Sequence, residues 1–337
     1  MSRLAFDAVE QLTHIVEGMH ANIAAAPLPL GKGTDGRAGG ITGFVYDSIR
    51  FVNSGARTAL DAALGMLAAG SGPALPQVQS DALLSVLNGV LGDHLAATEN
   101  PLAIRMQLRP EGAPRQRLVL LIHGLCMNDR QWSRNGHDHG AALANDLGVT
   151  PVYVLYNTGR HVSENGRELA GRLEVLLDGW PEPVPELVIL AHSMGGLVAR
   201  SAYQLGQEAG HAWPARLKQL VFLGTPHHGA PLERGGSWVD LLLGLSPYTA
   251  PLARLGMLRS AGITDLRHGF VRDEDWQGRD RFARTGDCRA PAPLPSAVEC
   301  HAIAGGRDLL VPVASALGQH RDADKALAFS EPHCFVG

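Results

Sequence analysis

The segment from Leu187 to Gly196 constrains the fold of this chain more than any other. It reads Leu-Val-Ile-Leu-Ala-His-Ser-Met-Gly-Gly, an apolar run typical of a buried strand that stops at a serine among small residues. A serine on a tight turn between a strand and a helix has a strained backbone, so the residues two positions away on either side have to be small. Ala191 and Gly195 meet this requirement. The segment predicts a nucleophile at Ser193 and a helix at 196–207, and the alternative is an ordinary turn that contains a serine.

Three further segments follow the same design, an apolar strand that ends in a turn. They read Arg-Leu-Val-Leu-Leu-Ile-His-Gly at 117–124, Leu-Val-Phe-Leu-Gly-Thr-Pro-His-His-Gly at 220–229, and His-Ala-Ile-Ala-Gly-Gly-Arg-Asp-Leu-Leu-Val-Pro-Val at 301–313. Together with the serine turn, these segments resemble the α/β-hydrolase superfamily, and within it the bacterial lipases and esterases. The resemblance covers about residues 101–337.

The resemblance implies a fold and a set of site residues. The fold class is α/β, a mostly parallel sheet flanked by helices, and alternating strands and helices from Pro101 onwards agree with it. The backbone amides of Leu125 and Met194 would bind the oxyanion, so the identity of their side chains matters little. Asp308 is at the position of the carboxylate that orients the catalytic histidine, and the order Ser193 then Asp308 is the chain order of this fold.

The histidine of the expected triad has no clear match. In the related enzymes it follows the last strand, which we predict at 333–336, and only Gly337 comes after that strand. His333 is the nearest candidate by position, but it would begin the strand and lie about 13 Å from its catalytic end. His227 and His228 lie at the catalytic end of their strand and could approach Ser193, but the resemblance implies that they line a pocket. We therefore leave the base unassigned and expect it on a loop beyond Gly337, which a last helix would follow.

The composition argues against several other classes of function. A formal net charge of -4 provides no basic field that would attract nucleic acid. The four cysteines lack the Cys-x-x-Cys spacing of zinc and thioredoxin-type sites. A chain of 337 residues buries a large core without disulfides. We expect neither a metal nor an organic cofactor.

The first residues, 1–12, carry charges of both signs and lack the apolar core of a secretory signal. The sequence also contains no run of 18 uninterrupted apolar residues, the minimum for a membrane-spanning helix. We therefore expect a cytoplasmic protein. Its expected partner is a small-molecule ester or a lipid, with peripheral contact to lipid left open.

The composition changes near residue 100. Three helix-like stretches at 3–26, 42–69 and 75–98 precede this point, and Gly- and Pro-rich breaks separate them. They predict a helical N-terminal region at 1–100 and a hydrolase domain at 101–337. An apolar stripe on the second stretch packs against other helices or the hydrolase core, or else faces lipid or a partner protein.

Local signals place further elements in the hydrolase domain. We predict an early edge strand at 102–108 and a second strand at 151–156. Ser163 is predicted to be the N-cap of a helix that reaches Leu177.

Two other segments have alternative readings. Gly136 to Gly140 reads Gly-His-Asp-His-Gly, which offers three potential metal ligands, but no further ligand can be named, so hydrogen-bonded loop residues are the preferred interpretation. The insert at about 230–295 contains a strongly apolar stretch at 238–258. An amphipathic segment here is typical of a lipase lid over an acyl-binding cleft, and ordinary helix packing is the rival interpretation.

The expected reaction is ester hydrolysis through an acyl-enzyme, with Ser193 as nucleophile, a histidine as base and Asp308 as its orienting carboxylate. Two rivals stay open. One is acyl transfer to an alcohol or amine by the same residues. The other is a non-catalytic hydrolase fold that binds a lipid or a protein, which the missing histidine favours.

Overall fold

A computed structural model of the chain describes residues 77–230, 259–281, 286–306, 308 and 310–335. The predicted helices at 3–26 and 42–69, the apolar stripe and the lid-like stretch at 238–258 lie outside these residues. The chain divides into two units, Met1–Gln77 and Val78–Gly337. This division falls earlier than the domain boundary that we predict at residue 100.

Nine strands lie in the described residues: β1 (Gln107–Pro110), β2 (Arg117–Ile122), β3 (Ser133–Arg134), β4 (His137–Asp138), β5 (Thr150–Leu155), β6 (Glu186–His192), β7 (Leu217–Leu223), β8 (Glu299–Gly305) and β9 (Glu331–Phe335). Seven of them form one sheet in the order β1-β5-β2-β6-β7-β8-β9, and β3 pairs with β4 alone. Only β1 runs antiparallel to its neighbour in the large sheet. The sheet is therefore mostly parallel, as predicted.

The central strands form because their sequences are almost wholly apolar. In β2, all residues from Leu118 to Ile122 are buried, which is the pattern of a parallel strand covered on both faces. Because β2, β6, β7 and β8 run parallel, they end at the same edge of the sheet, and the loops that follow them lie there. This edge holds the segments that the sequence singles out.

The helices in the described residues are α1 (Gln77–Ala97), α2 (His139–Leu147), α3 (Val162–Asp178), α4 (Met194–Glu208), α5 (Ala261–Asp265) and α6 (Val313–Ala316). α1 matches the helix predicted at 75–98, and α4 begins two residues before the predicted start at 196. None of the described helices combines the length and apolar character that crossing a bilayer needs.

Helix α1 forms hydrogen bonds with the segment that precedes β1. The Asn88 side chain accepts from Ile104 N–H at 2.9 Å and donates to Leu102 O at 2.8 Å. These bonds use backbone groups that a strand would need for pairing. The edge strand predicted at 102–108 therefore begins only at Gln107.

The start of α3 corrects the prediction for Ser163. The helix begins two residues earlier, at Val162 after His161, and the Asp265 carboxylate accepts the Val162 N–H at 2.8 Å. Ser163 is buried, and its Oγ accepts a hydrogen bond from Trp276 Nε1 at 3.0 Å. A carboxylate 103 residues away thus takes the place of the local cap.

Gly166 lies where α3 packs against α4. A Cβ on this glycine would be 2.3 Å from Ser201 Oγ and 3.0 Å from the Ala202 nitrogen. We expect Gly166→Ala to lower the free energy of unfolding by about 1–3 kcal/mol, because the helices have to separate. Urea denaturation measures this change.

Gly171→Ala is the matched control for this prediction. Gly171 is on the same helix, and a Cβ there would meet no atom within 4 Å. Because alanine favours helix more than glycine does, we expect this variant to be equally stable or up to about 1 kcal/mol more stable. Equal destabilisation by both substitutions would contradict the packing argument.

Candidate active site

Ser193 is on the turn that joins β6 to α4. Its backbone has φ 52° and ψ -125°, a conformation that costs a non-glycine residue about 1–3 kcal/mol. Its N–H donates to Leu223 O at 2.8 Å, which anchors the turn to the neighbouring strand. Its side chain is half-buried, and its Oγ has no hydrogen-bond partner among the described residues. The strain of the backbone directs this side chain out of the sheet.

The glycines after Ser193 are required by main chain and side chains that pack against them. A Cβ on Gly195 would lie 2.6 Å from His123 O and 2.7 Å from Ile122 O. A Cβ on Gly196 would lie 2.1 Å from Thr225 Oγ1. The end of β2 and the turn after β7 therefore hold the first turn of α4 in place.

The loop after β2 lies directly against Ser193. The position that a Cβ would take on Gly124 is 3.0 Å from Ser193 Cβ and 3.1 Å from His192 Nδ1. Leu125 follows Gly124, and Met194 begins α4, so the Met194 N–H has no partner within the helix. The structure thus brings the segments of both predicted oxyanion donors next to Ser193.

Cys126 lies in the same loop and carries a thiol. Its backbone also has a positive φ, 59°, and its N–H donates to Thr158 Oγ1 at 3.2 Å. Burial raises the pKa of the Cys126 thiol to about 12. A thiol needs to ionise to act as a nucleophile, and burial opposes this ionisation at Cys126.

Asp308 lies in the turn that follows β8. Its Oδ1 accepts hydrogen bonds from Leu310 N–H at 2.8 Å and Val311 N–H at 3.0 Å. Its Oδ2 lies 3.5 Å from the position of a Cβ on Gly224, the residue after β7. One carboxylate oxygen therefore builds the turn, while the other is directed to the edge of the sheet where the loops meet.

The sequence reasoning missed His192. Its Nδ1 and Ser193 Cβ are both within 3.1 Å of one point beside Gly124, so they are no more than about 6 Å apart. Burial lowers the pKa of His192, and the negative charge of Asp308 raises it in part. An imidazole, a hydroxyl and a carboxylate thus share this region. The sequence feature that could have pointed to His192 is its position directly before Ser193.

The other histidines that the sequence raises lie elsewhere. His333 is exposed in β9 opposite Ile303, and this strand begins at Glu331 rather than at 333 as predicted. His227 is fully buried and packs edge-on against Phe222, so it belongs to the core and not to the lining of a pocket. The general base of the expected triad stays unassigned.

The Gly-His-Asp-His-Gly segment forms β4 and the start of α2. Asp138 caps that helix by accepting the Ala141 N–H at 2.7 Å, and it also accepts a hydrogen bond from Tyr153. His137 and His139 meet edge to face with ring centroids 4.9 Å apart. No group of three or more metal-ligating side chains is placed to hold an ion in the described part of the chain.

Comparison with known protein families places the chain in one of them. Residues 113–288, more than half of the chain, match the family described as the PGAP1-like alpha/beta domain. The chain belongs to this family. No curated protein shows significant sequence similarity to the chain.

Solved structures of three hydrolases are similar to this PGAP1-like chain. A Bacillus licheniformis lipase in mature form is 16% identical with a TM-score of 0.42, over 68% of this chain and 90% of the lipase. The propeptide form of this lipase is 19% identical with a TM-score of 0.39. The match covers 60% of this chain but only 39% of the propeptide form, so this chain spans well under half of its length. The type II thioesterase of the yersiniabactin NRPS/PKS pathway is 16% identical with a TM-score of 0.42, over 68% and 89% of the two chains. A Pyrobaculum calidifontis esterase is 13% identical with a TM-score of 0.42, over 78% of this chain and 90% of the esterase.

The fold and the superfamily are therefore those that the sequence predicts. The sheet is mostly parallel, the strained serine follows β6, and the family is an alpha/beta domain family. The chain is an α/β hydrolase in fold.

Proposed function

We propose that this chain is a serine hydrolase that cleaves carboxylic esters through an acyl-enzyme intermediate. The observation that carries the proposal is the backbone of Ser193, with φ 52° at the start of a helix and beside the loop that follows β2. Strain of this size persists in a protein only where the surroundings enforce it, and it is characteristic of a nucleophile turn.

In the proposed reaction, Ser193 Oγ attacks the ester carbonyl carbon and loses its proton to a histidine. The carbonyl oxygen becomes an oxyanion, which accepts hydrogen bonds from the N–H groups of Leu125 and Met194. The dipole of α4 places partial positive charge at the same point. The intermediate then expels the alcohol, which takes the proton from the imidazolium, and water releases the acid by the reverse sequence.

Asp308 orients the histidine and stabilises its charged form in this proposal. The support is the position of the carboxylate, in the turn after β8 and within electrostatic reach of His192 beside Ser193. No metal or organic cofactor takes part. The residue that accepts the proton is the one member of the mechanism that we leave unassigned.

We further propose an apolar acyl group as the substrate, either of a small ester or of a lipid. This proposal depends on the apolar stretch at 238–258, which has the composition of a lid. A series of p-nitrophenyl esters from acetate to palmitate tests it. The expected result is a maximum beyond acetate that deletion of 238–258 abolishes, whereas rates that fall steadily from acetate and ignore the deletion would contradict it.

Labelling with a fluorophosphonate tests the reaction itself. We expect one covalent adduct per chain, on the peptide that contains Ser193, detected by mass spectrometry. The adduct should be lost in Ser193→Ala and retained in Ser201→Ala, a buried serine on the same helix. A folded chain that includes the histidine-bearing loop expected beyond Gly337 and still forms no adduct would exclude the hydrolase and favour the non-catalytic binding protein.

Acyl transfer is separated from hydrolysis by adding an acceptor. If water is the physiological acceptor, glycerol or a primary amine at moderate concentration should leave most of the acyl group as free acid. Formation of the new ester or amide as the main product would replace hydrolysis by transfer in the proposal, with the same Ser193 adduct.

A further inference from the structure

His123 is a buried imidazole that the proposed mechanism does not use. Its side chain is 1% exposed, and its Nδ1 lies 2.9 Å from the carbonyl oxygen of the next residue, Gly124. Its ring stacks on the ring of Tyr156 with centroids 4.4 Å apart and an interplanar angle of 23°. The Tyr156 hydroxyl also donates to His123 O at 2.8 Å. Both the ring and the backbone of His123 are therefore held in place.

The surroundings of His123 determine where its proton is. Burial lowers its pKa to about 4, so the ring is neutral at pH 7 and carries a single N–H. Its Nε2 is buried without a hydrogen-bond partner in the described part of the chain. Since a carbonyl oxygen can only accept, the proton is on Nδ1 and is donated to Gly124 O.

This hydrogen bond has a consequence for the next N–H along the chain. The peptide group between Gly124 and Leu125 is planar and trans, so its C=O and its N–H point in opposite directions. Gly124 O accepts hydrogen bonds from His123 Nδ1 at 2.9 Å and from the Met127 N–H at 3.2 Å. Fixing this oxygen, to which His123 makes the shorter bond, also fixes the direction of the Leu125 N–H. An oxyanion donor has to be oriented before charge develops, because its reorientation would otherwise add to the barrier.

We propose that His123 is a positioning residue that aims the Leu125 N–H at the oxyanion. The inference rests on the proposed function, since it assumes that an oxyanion forms at Ser193. The competing explanation is that His123 only fills space against Tyr156. The two explanations differ in what they require of the side chain, because positioning needs a donor at Nδ1 and packing needs an aromatic ring.

Two substitutions separate these requirements. His123→Asn keeps an amide N–H close to the position of Nδ1 but removes the ring. His123→Phe keeps the ring against Tyr156, removes the donor, and also removes the unpaired Nε2. We expect the asparagine variant to be the more active and the phenylalanine variant to be the more stable.

The readouts are kcat and KM for p-nitrophenyl acetate, the rate of fluorophosphonate labelling, and the urea midpoint of each variant. We expect His123→Phe to lower kcat by about 10- to 100-fold with little change in KM, since a misdirected catalytic group costs up to about 100-fold. His123→Asn should stay within about fivefold of wild type. The labelling rates should follow the same order as kcat.

The outcomes distinguish this inference from the proposed function. If a folded chain that includes the loop expected beyond Gly337 is not labelled at Ser193, the proposed function fails. If the wild type is labelled and His123→Phe reacts at the wild-type rate, only the positioning role fails. If activity and stability fall together in both variants, with asparagine lower in each, His123 is a packing residue and the inference is overturned.

Discussion

Replacing Asp308 by asparagine is expected to lower kcat for a p-nitrophenyl ester by about 10³- to 10⁴-fold. The expected loss comes from the charge and not from the shape of the turn. An asparagine Oδ1 can still accept the hydrogen bonds from Leu310 N–H and Val311 N–H at 2.8 and 3.0 Å. The second atom becomes an amide, which no longer stabilises an imidazolium and which favours the wrong tautomer of the histidine.

The comparison variants make this prediction specific. Asp308→Ala removes the turn acceptor as well as the charge, so it should be as inactive as Asp308→Asn and less stable. Asp322→Asn is the matched control, because the Asp322 Oδ1 also accepts a backbone N–H, that of Asp324 at 3.1 Å, at the start of a 3-10 helix. We expect its kcat to be within twofold of wild type. An Asp308→Asn enzyme within tenfold of wild type would remove Asp308 from the proposed triad.

The strained turn at Ser193 could be predicted from the sequence because its requirements are local. A tight strand-to-helix turn needs small residues at fixed distances, and Gly195 meets the carbonyl oxygens of Ile122 and His123 at distances that leave no room for a Cβ. The apolar runs of β2, β6 and β7 predict buried parallel strands for a similarly local reason. The turn and the strands are both determined by residues that are adjacent in the sequence.

The misplaced elements depend on partners that are distant along the chain. Ser163 has a side chain that could cap a helix, but the helix begins at Val162, whose N–H donates to the Asp265 carboxylate. The edge strand starts late because Asn88 of α1 binds the backbone of residues 102 and 104. Neither competitor can be seen in the local sequence, since each is brought in by tertiary packing.

The base is hard to predict for a different reason. The chain has 15 histidines, so residue type alone does not identify a catalytic one. The structure shows several of them engaged in packing and hydrogen bonding: His123 on Tyr156, His161 on Trp276, and His227 on Phe222. His192 stands beside the serine, and its relation to Asp308 exists only once β6 and β8 are brought into one sheet.

The buried imidazoles predict that the fold loses stability in mild acid. Burial lowers the pKa of His123 to about 4 and that of His228 to about 4, and it lowers the pKa of His227 well below its usual range. An unfolded chain binds these protons near pH 6.5. Between pH 6.5 and 4 the unfolded state therefore holds more protons than the folded state, and stability increases with pH.

The expected result is a free energy of unfolding that is constant above about pH 7 and falls steadily below pH 6.5. Each imidazole that stays neutral in the fold contributes a slope of about 1.4 kcal/mol per pH unit. For His123, the shift from 6.5 to about 4 corresponds to about 3 kcal/mol once the pH reaches 4. Asp265 acts in the opposite sense, because burial raises its pKa and its protonation in the fold relieves part of the loss.

Urea denaturation at pH 7.5, 6.5, 5.5 and 4.5 measures this dependence, and His123→Phe identifies the share of one imidazole. We expect the variant to lose about 1.4 kcal/mol per pH unit from the slope between pH 6 and 4.5. His137→Gln, which removes an exposed imidazole, is the matched control variant. A wild-type stability that is flat from pH 7.5 to 4.5, or a slope that His123→Phe does not alter, would mean that His123 takes up its proton in the folded chain.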